Sequence, residues 1–124
     1  MKFKALVGAC LVFWGFNALA AQATVAGTSV GTIIVTAEKD GQGNATFGGC
    51  MLNLNQSIAA ATGLSCAGNW VSLSCSGDFN SRSEASQLLN IAQMAKALEK
   101  NIDVRVDDTE KHNGYCVAKR IQLK

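Results

Sequence analysis

The sequence has no proline, a single histidine and few charges, with 16% of its 124 residues Asp, Glu, Lys or Arg. It contains no Cys-x-x-Cys pair and no H-E-x-x-H. The first absence removes close-spaced thiolate metal sites, and the second removes zincin proteases. The segment Asp107 to Gly114, which carries the lone histidine, lacks the D-x-[DN]-x-[DN]-G spacing of a calcium loop. The apolar run Ala5 to Phe16 is shorter than the roughly 20 residues a membrane-spanning helix needs. Lys2 and Lys4 account for the whole formal charge of +2, so residues 21–124 are net neutral. A balanced surface has no field to hold nucleic acid or an anionic membrane, and neither is expected as a partner.

What is present fits one domain: a hydrophobic fraction of 48% is too high for a disordered tail, and the chain is too short for two full cores. Its start has a basic pair, Lys2 and Lys4, then an apolar stretch, then Ala18-Leu19-Ala20. That order predicts a secretory signal peptide over residues 1–20, with Ala21-Gln22-Ala23 as a second cleavage site. Val7-Gly8-Ala9-Cys10 loosely resembles a lipoprotein box, but it leaves too short an apolar run before Cys10. Cys10 is therefore expected to leave with the leader, and residues 21–124 form a single secreted or periplasmic domain. Four cysteines remain, Cys50, Cys66, Cys75 and Cys116, which in an oxidising compartment predict two disulfides with three possible connectivities. Each would contribute about 2–4 kcal/mol.

Periodicity predicts a strand over 28–36, an Asp40-Gly41 turn, and a return strand over 45–52 with a bulge or close approach at Gly48-Gly49. Residues 53–69 read as a long loop with a helical turn or two. A third strand is expected over 70–76, where Val71, Leu73 and Cys75 alternate with Trp70, Ser72 and Ser74. Ser81-Arg82-Ser83-Glu84 is a capping-box pattern and starts the one substantial helix. Its core stripe is Ala85, Leu88, Leu89, Ala92 and Ala95, and Asn101 is the expected terminator. A fourth strand follows over 102–106, a polar turn over 107–114, and a fifth strand from Tyr115. The order β-β-β-α-β-β predicts an α+β, mainly β fold: a small five-stranded OB-like barrel.

Candidates for chemistry are few. His112 lies among Asp107, Asp108, Glu110 and Asn113, where it could serve as a base or metal ligand, but a solvated turn is the expected role. Gly41-Gln42-Gly43 begins like a dinucleotide fingerprint, yet Thr46 stands where the third glycine belongs, and a hairpin turn explains it. Asp103, Asp107 and Asp108 could hold a glycosidase pair, but an antiparallel turn offers them no cleft. No catalytic residue, metal ligand or cofactor is assigned, and the chain is read as a non-enzyme. Four aromatics remain after the leader: Phe47, Trp70, Phe79 and Tyr115. They could stack on sugar faces, with Asn and Ser of residues 53–69 bonding the hydroxyls. The simpler expectation is that Trp70 and Phe47 fill the small core.

The run Gly31 to Val35, Phe47-Gly48-Gly49-Cys50, Ser65-Cys66, Ala97 to Asn101 and Ile102 to Val106 resembles the B subunits of pentameric bacterial A–B toxins, especially the subtilase-cytotoxin and pertussis-like group. The resemblance implies an exported, disulfide-bonded OB-fold domain that forms a ring of five and binds sialylated glycans; it assigns no ligand-binding residues. In an OB barrel the third and fifth strands are neighbours, which favours Cys75–Cys116, with Cys50–Cys66 stapling the long loop. On the helix, Ile91, Met94 and Leu98 extend the apolar arc beyond one packed face. Either residues 53–69 cover this surplus or it faces a neighbouring copy. The chain is therefore read as an exported binding module for a glycan. The alternative is a secreted or periplasmic factor that binds another protein, such as an inhibitor or immunity-like protein.

Overall fold

The structure is a computed structural model and describes residues 21–124. The expected leader and Cys10 lie outside the described residues. Six strands, β1 (Gln22–Thr28), β2 (Val30–Val35), β3 (Cys50–Leu54), β4 (Trp70–Ser72), β5 (Ile102–His112) and β6 (Tyr115–Leu123), form one sheet in the order β1-β5-β6-β4-β3-β2. All pairs are antiparallel except β4 with β6. Parallel neighbours need a long crossover, and the connection contains the helix α2 (Arg82–Ala97). A shorter helix, α1 (Ile58–Thr62), lies in the loop after β3, as the predicted helical turn. No helix among the described residues is long and apolar enough to cross a membrane.

The fold is thus α+β and mainly β, but it is not a closed five-stranded barrel. One extended stretch, Gln22 to Val35, changes partner at Ser29: β1 runs along β5, and β2 runs along β3. These two strands are the opposite edges of the sheet and do not pair with each other. The side chain of Asn55 holds the change of partner, accepting from Thr28 Oγ1 at 2.6 Å and from the Ser29 amide at 3.0 Å. The expected strand over 28–36 missed β1, whose only buried residues are Val25 and Thr28.

The remaining differences have local causes. The return strand starts only at Cys50, because Thr46–Gly49 forms a 3-10 turn with Phe47 at φ 54° and Gly48 at φ 71°. β4 stops at Ser72, and Ser74 at φ 58° turns the chain back. β5 runs through the expected polar turn to His112, which leaves only Asn113-Gly114 as the hairpin tip. Both tip residues have positive φ, at 52° and 84°, the conformation a tight two-residue hairpin demands.

The helix begins as predicted: Ser81 Oγ accepts from the Glu84 amide at 3.1 Å, and the Glu84 carboxylate accepts from the Ser81 amide at 2.9 Å. Its end differs. Helical geometry stops at Ala97, and Glu99, not Asn101, takes the left-handed position at φ 53°. The Lys100 amide donates to Ala95 and the Glu99 amide to Lys96, the paired bonds of a Schellman ending. Ala85, Ala92 and Ala95 are fully buried, and Leu88, Leu89 and Ile91 pack partly against the core.

Two disulfides are present among the described residues, with a pairing that corrects the expected one: Cys50–Cys75 and Cys66–Cys116. The early end of β4 is the reason. Because the chain turns at Ser74, Cys75 folds back over the start of β3, where the Ser76 amide donates to Gly48 at 2.9 Å and the Leu73 amide to Cys50 at 3.1 Å. Cys116 on β6 is then met by Cys66 from the long loop.

Candidate ligand-binding surface

The core is aliphatic. It is built from Val, Leu, Ile, Ala and Cys side chains such as Leu52, Leu54, Val71, Leu73, Ile102 and Val104, and none of Phe47, Trp70, Phe79 and Tyr115 belongs to it. The expectation that Trp70 and Phe47 fill the core is therefore overturned. Strand alternation explains where Trp70 goes. Val71 points into the core beside Leu52, so Trp70 and Ser72 point to the other face of the sheet, together with Met51 and Ile34 across the ladder. Aromatic surface kept out of the core is available for recognition, since such rings contribute large contact area at low conformational cost.

Three of these rings converge. Ile34, Phe47, Met51, Trp70 and Tyr115 line a notch of about 160 Å³ on the outer face of β2, β3 and β4. Phe47 and Tyr115 meet edge to face, with centroids 5.8 Å apart and an interplanar angle of 73°. Phe47 is carried there by its left-handed backbone, which is held from two sides: its amide donates to Asn113 Oδ1 at 3.0 Å, and its carbonyl accepts from Ser72 Oγ at 3.0 Å. The hairpin tip between β5 and β6 is thereby tied to the turn before β3.

Beside the notch lies a polar pocket of about 320 Å³, whose wall includes Asn44, Asp78, Phe79, Lys111, His112 and Asn113. His112, expected in a solvated turn, is instead half-buried at the end of β5. Its Nε2 lies 3.1 Å from Ser74 Oγ and 3.8 Å from Asp78 Oδ2, and the Phe79 ring packs edge-on against it at 4.9 Å. Burial pushes the imidazole below its ordinary pKa, and the Asp78 carboxylate only partly opposes this. Ser74 Oγ also accepts from the Phe79 amide at 3.0 Å.

Serine, histidine and aspartate stand together here, but not as a catalytic relay. A triad sets the acid on one ring nitrogen and the serine on the other, whereas Ser74 and Asp78 both meet Nε2 and Ser74 is fully buried. The trio is a strut. It braces Gly48, against which the imidazole and Ser72 pack so closely that a Cβ would lie 2.5 Å from His112 Cδ2. Of the four described non-glycine residues with positive φ, Phe47, Ser74 and Asn113 all lie at this junction. Such backbone persists only where surrounding contacts over-determine it, and it gathers at functional sites.

The other predicted candidates are used structurally. Asp103 accepts from the Gly27 amide at 2.8 Å. Asp107 accepts from Thr109 and Gln22, and Asp108 from the Ser65 amide at 3.3 Å. All three lie on β5 and are spent on separate hydrogen bonds. Gly41-Gln42-Gly43 is a turn, as expected, with Asp40 Oδ1 accepting from the Gln42 and Asn44 amides at 2.8 and 2.9 Å. Asn55 and Ser57 of the long loop serve the β1–β2 crossing and the α1 cap, away from the aromatics. Among the described residues no group of three or more His, Cys, Asp or Glu side chains could hold a metal ion.

No protein-family model, curated protein or solved structure matches the chain. Sequence periodicity could place Trp70 opposite Val71, and Asn113-Gly114 marked a tight turn. Nothing local showed that Asn113 would bond the Phe47 amide 66 residues away. On α2, Met94 and Leu98 are 52% and 57% exposed, while Ile91 is half-buried. Residues 53–69 leave Met94 and Leu98 uncovered, their helix α1 packing instead on β1.

Proposed function

We propose that the protein is an exported, non-enzymatic binding module that takes a glycan on the surface formed by Phe47, Trp70 and Tyr115. The observation that carries this reading is the exclusion of every described aromatic ring from the core, with three of them converging on one notch beside a polar pocket. Aromatic faces stack on the C–H faces of sugars, and amide and carboxylate groups at the rim bond hydroxyls. The strand order adds support. If β1 and β2 are counted as one bent strand, the ladder follows the OB-fold order, with its parallel pair between the third and fifth strands. In OB-folds the second and third strands and the adjoining loops are the usual oligosaccharide-binding face, and in this chain those are β3, β4, residues 36–49 and Asn113-Gly114.

A secreted or periplasmic setting is supported by the two disulfides. Assembly into a ring through Ile91, Met94 and Leu98 is supported by the uncovered apolar strip on α2. The same strip favours a second reading, a factor that binds another protein. A glycan array with wild type and Trp70→Ala tests the first reading, which expects selective sugar binding that the substitution abolishes. Mass in solution, with and without Ile91→Lys/Met94→Lys, tests the assembly.

A further inference from the structure

We propose that this surface has two subsites and takes at least two consecutive pyranose units, the first stacked in the aromatic notch and the next seated in the polar pocket against Phe79. This rests on the glycan-binding reading and deepens it.

Size is the first argument. The notch, at about 160 Å³, is too small to be a complete ligand site, since such pockets hold roughly 300–1,000 Å³. Contiguity is the second. His112 of the pocket and Tyr115 of the notch are direct cross-strand partners, which sets their Cβ atoms roughly 5 Å apart, about the span of one sugar ring. Asn113 stands at the boundary, lining the pocket while its Oδ1 secures Phe47.

Hydrogen-bonding capacity in the pocket is also unspent. Among the described residues, Asp78 uses Oδ2 on Ser76 and His112 but makes no protein hydrogen bond through Oδ1. Asn113 Nδ2 and Lys111 Nζ have no protein partner among them either. The pocket thus offers an acceptor and two donors, the set that vicinal hydroxyls satisfy. Asp40, by contrast, is consumed by Gln42 and Asn44. Phe79, 39% exposed and propped by His112, gives this second subsite its own stacking wall.

The test is array binding followed by inhibition with soluble methyl glycosides of the bound epitope, as the terminal monosaccharide and as the disaccharide. The disaccharide should inhibit at least ten-fold better than the monosaccharide. In Asp78→Asn/Lys111→Ala that advantage should fall to within about three-fold, with monosaccharide inhibition unchanged, a split that general misfolding would not produce. Phe79→Ala should act in the same direction, and Trp70→Ala should remove both. Equal inhibition by the two glycosides, or an undiminished disaccharide advantage in both pocket variants, overturns the two-subsite proposal and leaves glycan binding standing. Failure of the wild type to bind any printed saccharide overturns both.

Discussion

Replacing Gly48 with alanine strikes the junction between the Thr46–Gly49 turn and the Asn113-Gly114 hairpin tip. Two costs add. The first is backbone: Gly48 has φ +71°, and an L residue in the left-handed region loses about 1–2 kcal/mol. The second is steric. The new Cβ would lie 2.5 Å from His112 Cδ2, 2.6 Å from Ser72 Oγ and 2.8 Å from His112 Nε2. None of these is a loose side-chain end. Ser72 Oγ donates to Phe47 O and accepts from the Ser74 amide, and His112 is bonded to Ser74 Oγ. Relieving the contact therefore breaks part of a buried network, and overpacking of this kind costs about 1–3 kcal/mol. Together the losses come to about 2–5 kcal/mol, a large share of the roughly 5–15 kcal/mol that holds a domain folded. Gly114→Ala is the control, since φ is +84° but nothing lies within 4 Å of its Cβ. It should show the backbone cost alone. Urea unfolding at pH 7, with fitted slopes unchanged from wild type, reads both. If Gly48→Ala lowers stability no more than Gly114→Ala, the imidazole is not packed on Gly48 and the strut argument fails.

Three further outcomes follow from the same geometry. Ser81→Ala should cost about 1 kcal/mol through loss of the α2 cap, and an unchanged unfolding midpoint would mean that the bond to the Glu84 amide does not hold the helix start. Glu99→Gly should stabilise the protein by up to about 1 kcal/mol, because glycine accepts the left-handed position without penalty; a lowered midpoint would show that the Glu99 side chain has a role its exposure does not suggest. Stability should fall in two stages on acidification. His112 is held below 6.5 by burial, so the folded state resists the proton that the unfolded chain accepts, and stability is lost as pH drops below about 6.5. Asp103 and Asp107 are also held low. The Gly27 amide is the main cause at Asp103; at Asp107 burial acts upward, but hydrogen bonds from Thr109 and Gln22 prevail. Their contribution is lost only as pH falls through the carboxylate range. His112→Gln should remove the first stage and keep the second, and a wild-type midpoint equal at pH 7.5 and 5.5 would refute the burial argument for His112.

The local elements were legible from the sequence because their causes lie within a few residues. Ser81 and Glu84 satisfy each other's backbone across one turn, Asp40 bonds amides two and four residues on, and Asn113-Gly114 supplies the positive φ that a two-residue hairpin needs. Alternation from Trp70 to Leu73 already placed Val71 and Leu73 on one side. The number of disulfides could likewise be read from four cysteines.

Their pairing could not. It turned on Ser74 reversing the chain after β4, a conformation that the Phe79 amide, the Ser72 hydroxyl and the distant His112 impose together. The short β1, with only Val25 and Thr28 buried, becomes a strand because β5 offers a long ladder to pair with. The site shows the same division. The sequence by itself determined that four aromatics and one histidine were available in residues 21–124. Tertiary structure alone decided that aliphatic residues would fill the core, leaving those rings on the outer face, and that Asn113 would join two turns 66 residues apart. A residue's type sets what it can bond; which groups come within reach depends on contacts far along the chain.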